Sequence, residues 1–331
     1  MSRYDLVVLG DCNPDVLVLG SDVDPAFGQQ EKLVDGISLV IGGSAAITAV
    51  AAARLGLRVA LAAAVGADPA GEFMRDRLAA EGVDVSFVAV REDAPTGMTV
   101  ALSRGGDRAI LTALGAVASL TAADVPEALL AGARHVHASS WFLLQDCLGP
   151  GLGALFSAAR SAGVMTSLDT NWDPSGRWAG PGLSAAIAQA GLLLPNEAEA
   201  TRLAGADDLD SAVSALAGAG RRVVVKLGER GALCADGPAR YRVSLPPVTP
   251  VDATGAGDCF DAGLIAGLLD GLDLPQAAAL GCAAGALSTA APGGTASAPS
   301  RAAAAKLAAT PASPRNQPRQ CDIAVVRTTT M

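Results

Sequence analysis

From residue 133 onward the chain alternates two kinds of stretch. Short apolar runs at about 133–138, 164–169, 191–195 and 222–227 are separated by helix-length segments at about 150–162, 181–190 and 208–219. Strands joined by long crossovers pair in parallel, and a parallel sheet needs helices over both of its faces. The near-continuous apolar character of the runs is what such double-sided burial demands. The alternation therefore predicts an α/β fold, a doubly wound and mostly parallel sheet flanked by helices. Earlier segments extend it: buried strands at 4–10 and 59–65, a helix from about 44 to 55 closed by Gly56, and an amphipathic helix at about 69–81.

The ends of these strands carry the polar residues. Ser139-Ser140-Trp141, Asp169-Thr170-Asn171-Trp172-Asp173, Asn196-Glu197-Ala198-Glu199 and Lys226-Leu227-Gly228-Glu229-Arg230-Gly231 follow successive strands. In an open parallel sheet ligands bind at the carboxyl ends of strands, so these segments predict one active-site face. Asn13 and Asp15 leave the first strand at the same end and are candidates for gripping hydroxyl groups. They fit an Asx turn around Pro14 equally well, and both readings stay open. His135 and His137 alternate within a strand and read as structural.

The stretch Val251-Asp252-Ala253-Thr254-Gly255-Ala256-Gly257-Asp258-Cys259-Phe260 carries the sharpest chemistry. Gly255, Ala256 and Gly257 precede an apolar helical run at 260–269, which leaves their backbone N–H groups unpaired at a helix N-terminus. Such an end carries about half a positive charge, and side chains this small let a phosphate reach it. Asp258 would be repelled by that phosphate unless it takes a proton from an attacking hydroxyl or helps to hold a metal. An ordinary glycine turn with a first-turn acid is the plainer alternative. Gly42-Gly43 likewise precede a helix, where they permit close approach of a ligand or serve tight packing.

Between these parts the pattern changes. Short strands at 85–90, 98–104 and 108–114, the last two joined by Gly105-Gly106-Asp107, are predicted to form a small sheet with segments near 16–19 and 32–41. A sheet standing beside a pocket reads as a lid. The expected organisation is one domain over 1–310, with a lid from segments near 11–20, 32–41 and 85–115, and a flexible tail over 311–331 rich in Pro, Arg, Gln, Asn and Thr. The formal charge of −9 argues against a nucleic-acid or anionic-membrane surface. The scattered cysteines form no zinc or redox motif, and no signal or transmembrane segment is read, so a cytoplasmic location is expected.

Taken in this order and spacing, the motifs resemble those of the ribokinase-like (PfkB) family of carbohydrate kinases, over roughly residues 4–309. The resemblance rests on residues 252–260, on Gly42-Gly43 before an Ala-rich helix, on Asn196 to Glu199 as an Asn-x-x-Glu element, and on Lys226-Leu227-Gly228 with Gly231. It implies that Asp258 is the base activating a sugar hydroxyl for in-line attack on the ATP γ-phosphate, with Gly255, Ala256 and Gly257 as the anion hole. It implies that Asn196 and Glu199 organise Mg²⁺ through its waters, and that Asn196, Lys226, Gly228, Gly231 and Gly257 line the nucleotide. Asn13, Asp15, Gly42, Gly43 and Asn171 would bind the sugar. Asp252, with carbonyls of residues 290–294, would hold a monovalent cation such as K⁺, as in several relatives.

The sugar side departs from the family pattern. Ile47 stands where relatives often place a sugar-binding asparagine, and Ser44 where ribokinases and phosphosugar kinases commonly place lysine, which weakens a sugar phosphate. Asp173 stands where 2-keto-3-deoxygluconate and fructose kinases carry arginine, which argues against a sugar acid. An ATP-dependent kinase of a small neutral sugar is the expected function. A nucleoside kinase of the same family, and a non-catalytic sugar- or nucleotide-binding sensor, are the alternatives. The apolar alternation at 98–114 allows a homodimer through the lid.

Overall fold

The computed structural model describes residues 3–104, 107–218 and 221–310. The chain runs through β1 (Tyr4–Leu9), β2 (Asn13–Leu19), β3 (Gly36–Gly42), α1 (Ser44–Arg54), β4 (Val59–Gly66), α2 (Pro69–Ala80), β5 (Val83–Arg91), β6 (Met98–Arg104) and β7 (Asp107–Ala113). It continues with α3 (Glu127–Ala131), β8 (Ala133–Ala138), α4 (Gly149–Ser161), β9 (Met165–Leu168), α5 (Leu183–Gln189), β10 (Leu192–Leu193), α6 (Glu197–Ala204), α7 (Leu209–Leu216) and β11 (Arg222–Lys226). The hairpin β12 (Ala232–Asp236) and β13 (Ala239–Val243) precedes α8 (Ala256–Leu269), α9 (Leu274–Ser288) and α10 (Arg301–Ala308).

The main sheet has nine strands in the order β13-β12-β11-β10-β9-β8-β1-β4-β5. Pairing is parallel from β11 to β5, and only the hairpin at one edge runs antiparallel. Because side chains alternate across a strand, the two faces bury different sets. Val7, Leu9, Ala60, Ala62 and Ala64 pack in the layer that holds Phe142 and Phe156. Leu6, Val8, Leu61, Ala63 and Val65 pack against the small residues of α1 and α8. The doubly wound α/β expectation therefore holds. Among the described residues no helix is long and apolar enough to cross a membrane.

A second sheet has the order β3-β2-β6-β7. The expected lid included the segment near 85–90, and here the structure differs: β5 is the edge strand of the main sheet, parallel to β4. The physical reason is burial. All of β4 is buried, so it needs a neighbour on its open side, and the half-exposed pattern of β5 suits a sheet edge. Only β6 and β7 of that segment join the small sheet, and β3 starts at Gly36 rather than at residue 32. Residues 105–106 of the expected hairpin turn and the expected tail at 311–331 lie outside the described residues.

Candidate active site

The helix α8 begins at Gly255, whose φ of 72° is left-handed. A side chain there would meet the backbone of Gly294, with a Cβ only 2.6 Å from its Cα, so glycine alone fits both the turn and the close approach. No side chain caps this end. By contrast α6, α7, α9 and α10 are capped by Asn196, Asp208, Asp273 and Ser300. The N-terminus of α8 is thus an uncapped positive end with Gly255, Ala256 and Gly257 around it, suited to an anion. Asp252 braces the loop before it: its carboxylate accepts from Thr254 N at 2.9 Å and from Gly293 N at 2.8 Å.

The neighbouring helix α1 is closed instead by Asp11, which accepts from Ser44 N at 3.1 Å and Ala45 N at 3.0 Å. Ser44 faces Asp258, close enough for its hydroxyl to favour the ionised carboxylate. The same hydroxyl accepts from Asn171 Nδ2 at 3.1 Å. Asp258 therefore lies where the anion end of α8 meets the loop of the glycine pair. Burial, and then the nearby Asp169 carboxylate, push its carboxyl up to about 8, while Lys226 pulls the other way. A carboxyl titrating there holds its proton for the most part at neutral pH in the empty site and becomes a base as pH rises through 8.

Behind Asp258 lies a buried ion cluster. Lys226 Nζ is 2.5 Å from Asp169 Oδ2 and 3.3 Å from both oxygens of Asp261. Burial works against charge on both partners, yet the Lys226 ammonium holds Asp169 below the ordinary carboxylate value, and the carboxylates hold Lys226 above its own. Asp261, wholly buried, is pushed up by burial against the pull of Lys226. Lys226 thus spends its charge under the site, with its Nζ 3.6 Å from where a Cβ on Gly257 would lie.

Asn196 and Glu199 form a reciprocal capping box: Asn196 Oδ1 accepts from Glu199 N at 2.9 Å, and Glu199 Oε2 from Asn196 N at 2.8 Å. Burial, then Asp169, raise the Glu199 carboxyl to about 7. Gly228 opens a single turn that Gly231 closes, bridging β11 to β12 beside this corner. Among the described residues no group of three or more His, Cys, Asp or Glu could hold a metal by itself. Mg²⁺ keeps its waters and takes one or two carboxylates plus phosphate oxygens, and Glu199 is one such carboxylate at this corner. A cation there would also offset the excess of buried acid, Asp11, Asp169, Glu199, Asp258 and Asp261 around Lys226.

On the other side of Asp258, Asn13 and Asp15 are buried at the start of β2. Asn13 Nδ2 donates to Asp15 Oδ1 at 3.2 Å and to Thr99 Oγ1 of β6 at 3.1 Å. Asp15 Oδ1 lies only 1.9 Å from where a Cβ on Gly42 would be, so any side chain there would overlap it. Gly43 is the N-cap residue of α1. The structure thus brings Asn13, Asp15, Gly42 and Gly43 together, joins Asn171 to the start of α1 through Ser44, and sets Asn196 beside Lys226 with Gly228 and Gly231 in the turn that follows.

Two departures noted in the sequence look different in three dimensions. Asp173 is turned into its own loop, accepting from Ser175 N at 2.8 Å and Trp178 N at 2.6 Å, and is buried. Its charge is used locally, so it does not by itself exclude an anionic sugar. Ile47 packs on the anion loop, with its Cγ2 3.0 Å from where a Cβ on Gly255 would lie.

Sequence reasoning passed over Asp11 and Asp261. Asp11 had a signal: an acid just after β1, facing a helix whose own first residues offer no cap. The aromatic set Trp141, Phe142, Trp172 and Trp178 was also missed; these rings meet edge to face at 5.0–5.3 Å under the Asn171 loop. Within these loops Ser140, Asn171 and Trp178 adopt left-handed φ of 54–58°, a conformation that costs energy and clusters at functional sites.

The family described as pfkB family carbohydrate kinase matches residues 4–301. The fructoselysine 6-kinase of Shigella flexneri is 34% identical over 246 residues, 73% of this chain and 87% of that protein. Among solved structures, fructokinase from Vibrio cholerae O395, bound to fructose, ADP and calcium, superposes with a TM-score of 0.76 at 28% identity, covering 92% of this chain and 98% of that one. A protein described as ribokinase II from E. coli, in complex with ATP and Mg²⁺, superposes with a TM-score of 0.79 at 25% identity, with the same coverages of 92% and 98%.

Proposed function

The chain belongs to the pfkB family of carbohydrate kinases and is a phosphotransferase acting on a sugar hydroxyl; from that premise we propose that it transfers the ATP γ-phosphate to a small neutral sugar with Asp258 as base. The observation that carries the proposal is the uncapped N-terminus of α8 at Gly255, with Asp258 in its first turn and Ser44, bonded by Asn171 Nδ2 at 3.1 Å, facing it from the sugar-side loops. Asp258 takes the proton of the attacking hydroxyl, the freed oxygen attacks the γ-phosphorus in line, and the bond to the leaving ADP breaks. The N–H groups of Gly255, Ala256 and Gly257 receive the charge on the transferred oxygens, a contribution typically worth ~2.7–4 kcal/mol per donor.

Asn13, Asp15, Gly42, Gly43 and Asn171 hold the sugar in this reading, and Asn196, Lys226, Gly228 and Gly231 flank the nucleotide. Asp11 is a positioning residue that fixes Ser44. Mg²⁺, when bound, neutralises phosphate charge, and Glu199 with Asn196 would hold its waters. Asp252 is the candidate for a monovalent cation such as K⁺. Buried acids around the pocket disfavour an anionic acceptor, which supports a neutral sugar independently of Asp173. Exposed Ile37, Leu39, Ile110 and Leu111 on the small sheet, which is the proposed lid, support pairing of two copies through it.

The test is ADP release over pentoses, hexoses, fructoselysine, sugar acids and nucleosides. Turnover restricted to nucleosides would replace the sugar reading. Ligand binding without transfer to any acceptor would favour a sensor.

A further inference from the structure

The amino-terminal edge of the main sheet, opposite the candidate active site, holds a cavity of about 120 Å³. It opens between β8, β9, β10 and β11, and its lining includes His135, Arg160, Thr166, Gly191 and Arg222. Among the described residues no carboxylate lines it, in a chain whose formal charge is −9. Arg160 makes one long bond, from Nη1 to Gln189 O at 3.4 Å. Arg221 lies close enough to Arg160 for the two charges to repel, and its Nε is buried without a partner. Arg160 and Arg222 thus give the cavity a positive lining, which favours an anion.

His135 connects this cavity to the interior. The residue is 1% exposed, its Nδ1 has no hydrogen-bond partner, and its Nε2 is 2.7 Å from Ser167 Oγ. Ser167 Oγ is 2.8 Å from His137 Nδ1, and His137 Nε2 is 2.9 Å from Ser139 Oγ. A buried donor or acceptor without a partner costs about 1–3 kcal/mol, so the orphaned Nδ1 calls for a ligand.

Burial keeps both imidazoles neutral at physiological pH, at about 3 for His135 and about 4 for His137. Each ring then carries one N–H, and each hydroxyl has one proton to give. The row His135–Ser167–His137–Ser139 can therefore point only one of two ways as a whole. If His135 Nδ1 bears its proton, Ser167 donates to His135 Nε2, His137 Nδ1 donates to Ser167, and Ser139 donates to His137 Nε2. If His135 Nδ1 is bare, every bond reverses and Ser139 becomes an acceptor. Ser139 adjoins Ser140, whose N–H donates to Asn171 Oδ1 at 2.6 Å and whose hydroxyl donates to the same oxygen at 3.4 Å.

We propose that this cavity binds a small oxyanion through Arg160, Arg222 and the Nδ1–H of His135, and that its binding fixes the direction of the hydrogen-bond row reaching Ser139. Phosphate and carboxylate share the required chemistry, since an arginine fork pairs with either. No bond is made or broken; the anion selects one tautomer of each ring.

The chain has two histidines, so ring-¹⁵N spectra of the histidine-labelled full chain report this row alone. Titration with inorganic phosphate, and separately with acetate, is expected to give a saturable change for at least one anion, with both Nδ1 atoms protonated at saturation. Whichever anion acts at lower concentration identifies the ligand class. Arg222→Gln, and separately Arg160→Gln, should raise the half-saturating concentration about 10–100-fold, the worth of a charged hydrogen bond. No saturable change with either anion, a bare His135 Nδ1 at saturation, or a midpoint unaltered in both variants would overturn the proposal; the last would mean that the anion sits elsewhere.

Discussion

Lys226 Nζ stands 2.5 Å from Asp169 Oδ2, and that pair, made between the ends of two strands, sets the electrostatics of everything above it. Both residues are nearly excluded from water, at 11% and 2% side-chain exposure. Asp261 shares the ammonium, while Asp258 and Glu199 feel the negative field of Asp169 without a bond to Lys226 to relieve it. The site therefore combines one ionised, paired carboxylate with several raised ones.

Removing the ammonium leaves Asp169 and Asp261 buried without a counter-ion. Lys226→Met is expected to cost about 3–5 kcal/mol of stability, the usual result of breaking a buried pair from one side. Urea denaturation at neutral pH measures it, and a loss near zero would contradict the pairing.

The raised carboxyls fix the sign of the pH dependence. Asp258 moves from its ordinary 3.8 to about 8 on folding, and Glu199 from 4.5 to about 7. Folding thus favours their protonated forms. Their stabilising contribution is complete below about pH 4 and is lost as pH rises toward 8. The unfolding midpoint of the ligand-free protein should fall across that window, and Asp258→Asn should flatten the fall. For the same reason kcat/KM should rise with pH along a limb near 8 rather than near 4. A limb at ordinary carboxylate pH would show that the free site does not raise Asp258.

Ile47 is 3% exposed and packs on the loop of Gly255 and Gly294. Restoring the family's asparagine with Ile47→Asn should place an amide among apolar neighbours and cost about 1–3 kcal/mol, read as a lower melting temperature. A gain in both stability and sugar affinity would mean that this pocket already has a polar partner for it.

In the proposed reading Glu199 holds Mg²⁺ waters. Glu199→Gln should raise the Mg²⁺ concentration giving half-maximal turnover by about 10–100-fold, the typical effect of losing an outer-shell partner. Unchanged Mg²⁺ dependence would assign the metal to other groups.

The parts of this molecule that were legible in the chain are those set by neighbours in sequence. The helix starts after Gly43 and Gly255 and the Asn-x-x-Glu segment are all local. What was not legible depends on strand order. Lys226 meets Asp169 from 57 residues away because β9, β10 and β11 lie side by side, and no local pattern announces that contact. Asp11 reaches Ser44 and Ala45 for the same kind of reason, across the edge between β1 and α1. Asp173 misled because a carboxylate can be consumed by its own turn, and a sequence alone does not tell a turn acid from a ligand-facing one.

The central claim is that Asp258, held between the uncapped end of α8 and Ser44, is the base of a sugar kinase. Its most direct test is the rate of ADP release with the best acceptor from the sugar panel, for the native chain and for Asp258→Asn. The account predicts a fall in kcat of about 10²–10⁴-fold with acceptor binding largely kept. Turnover by Asp258→Asn within a few-fold of the native rate would contradict it.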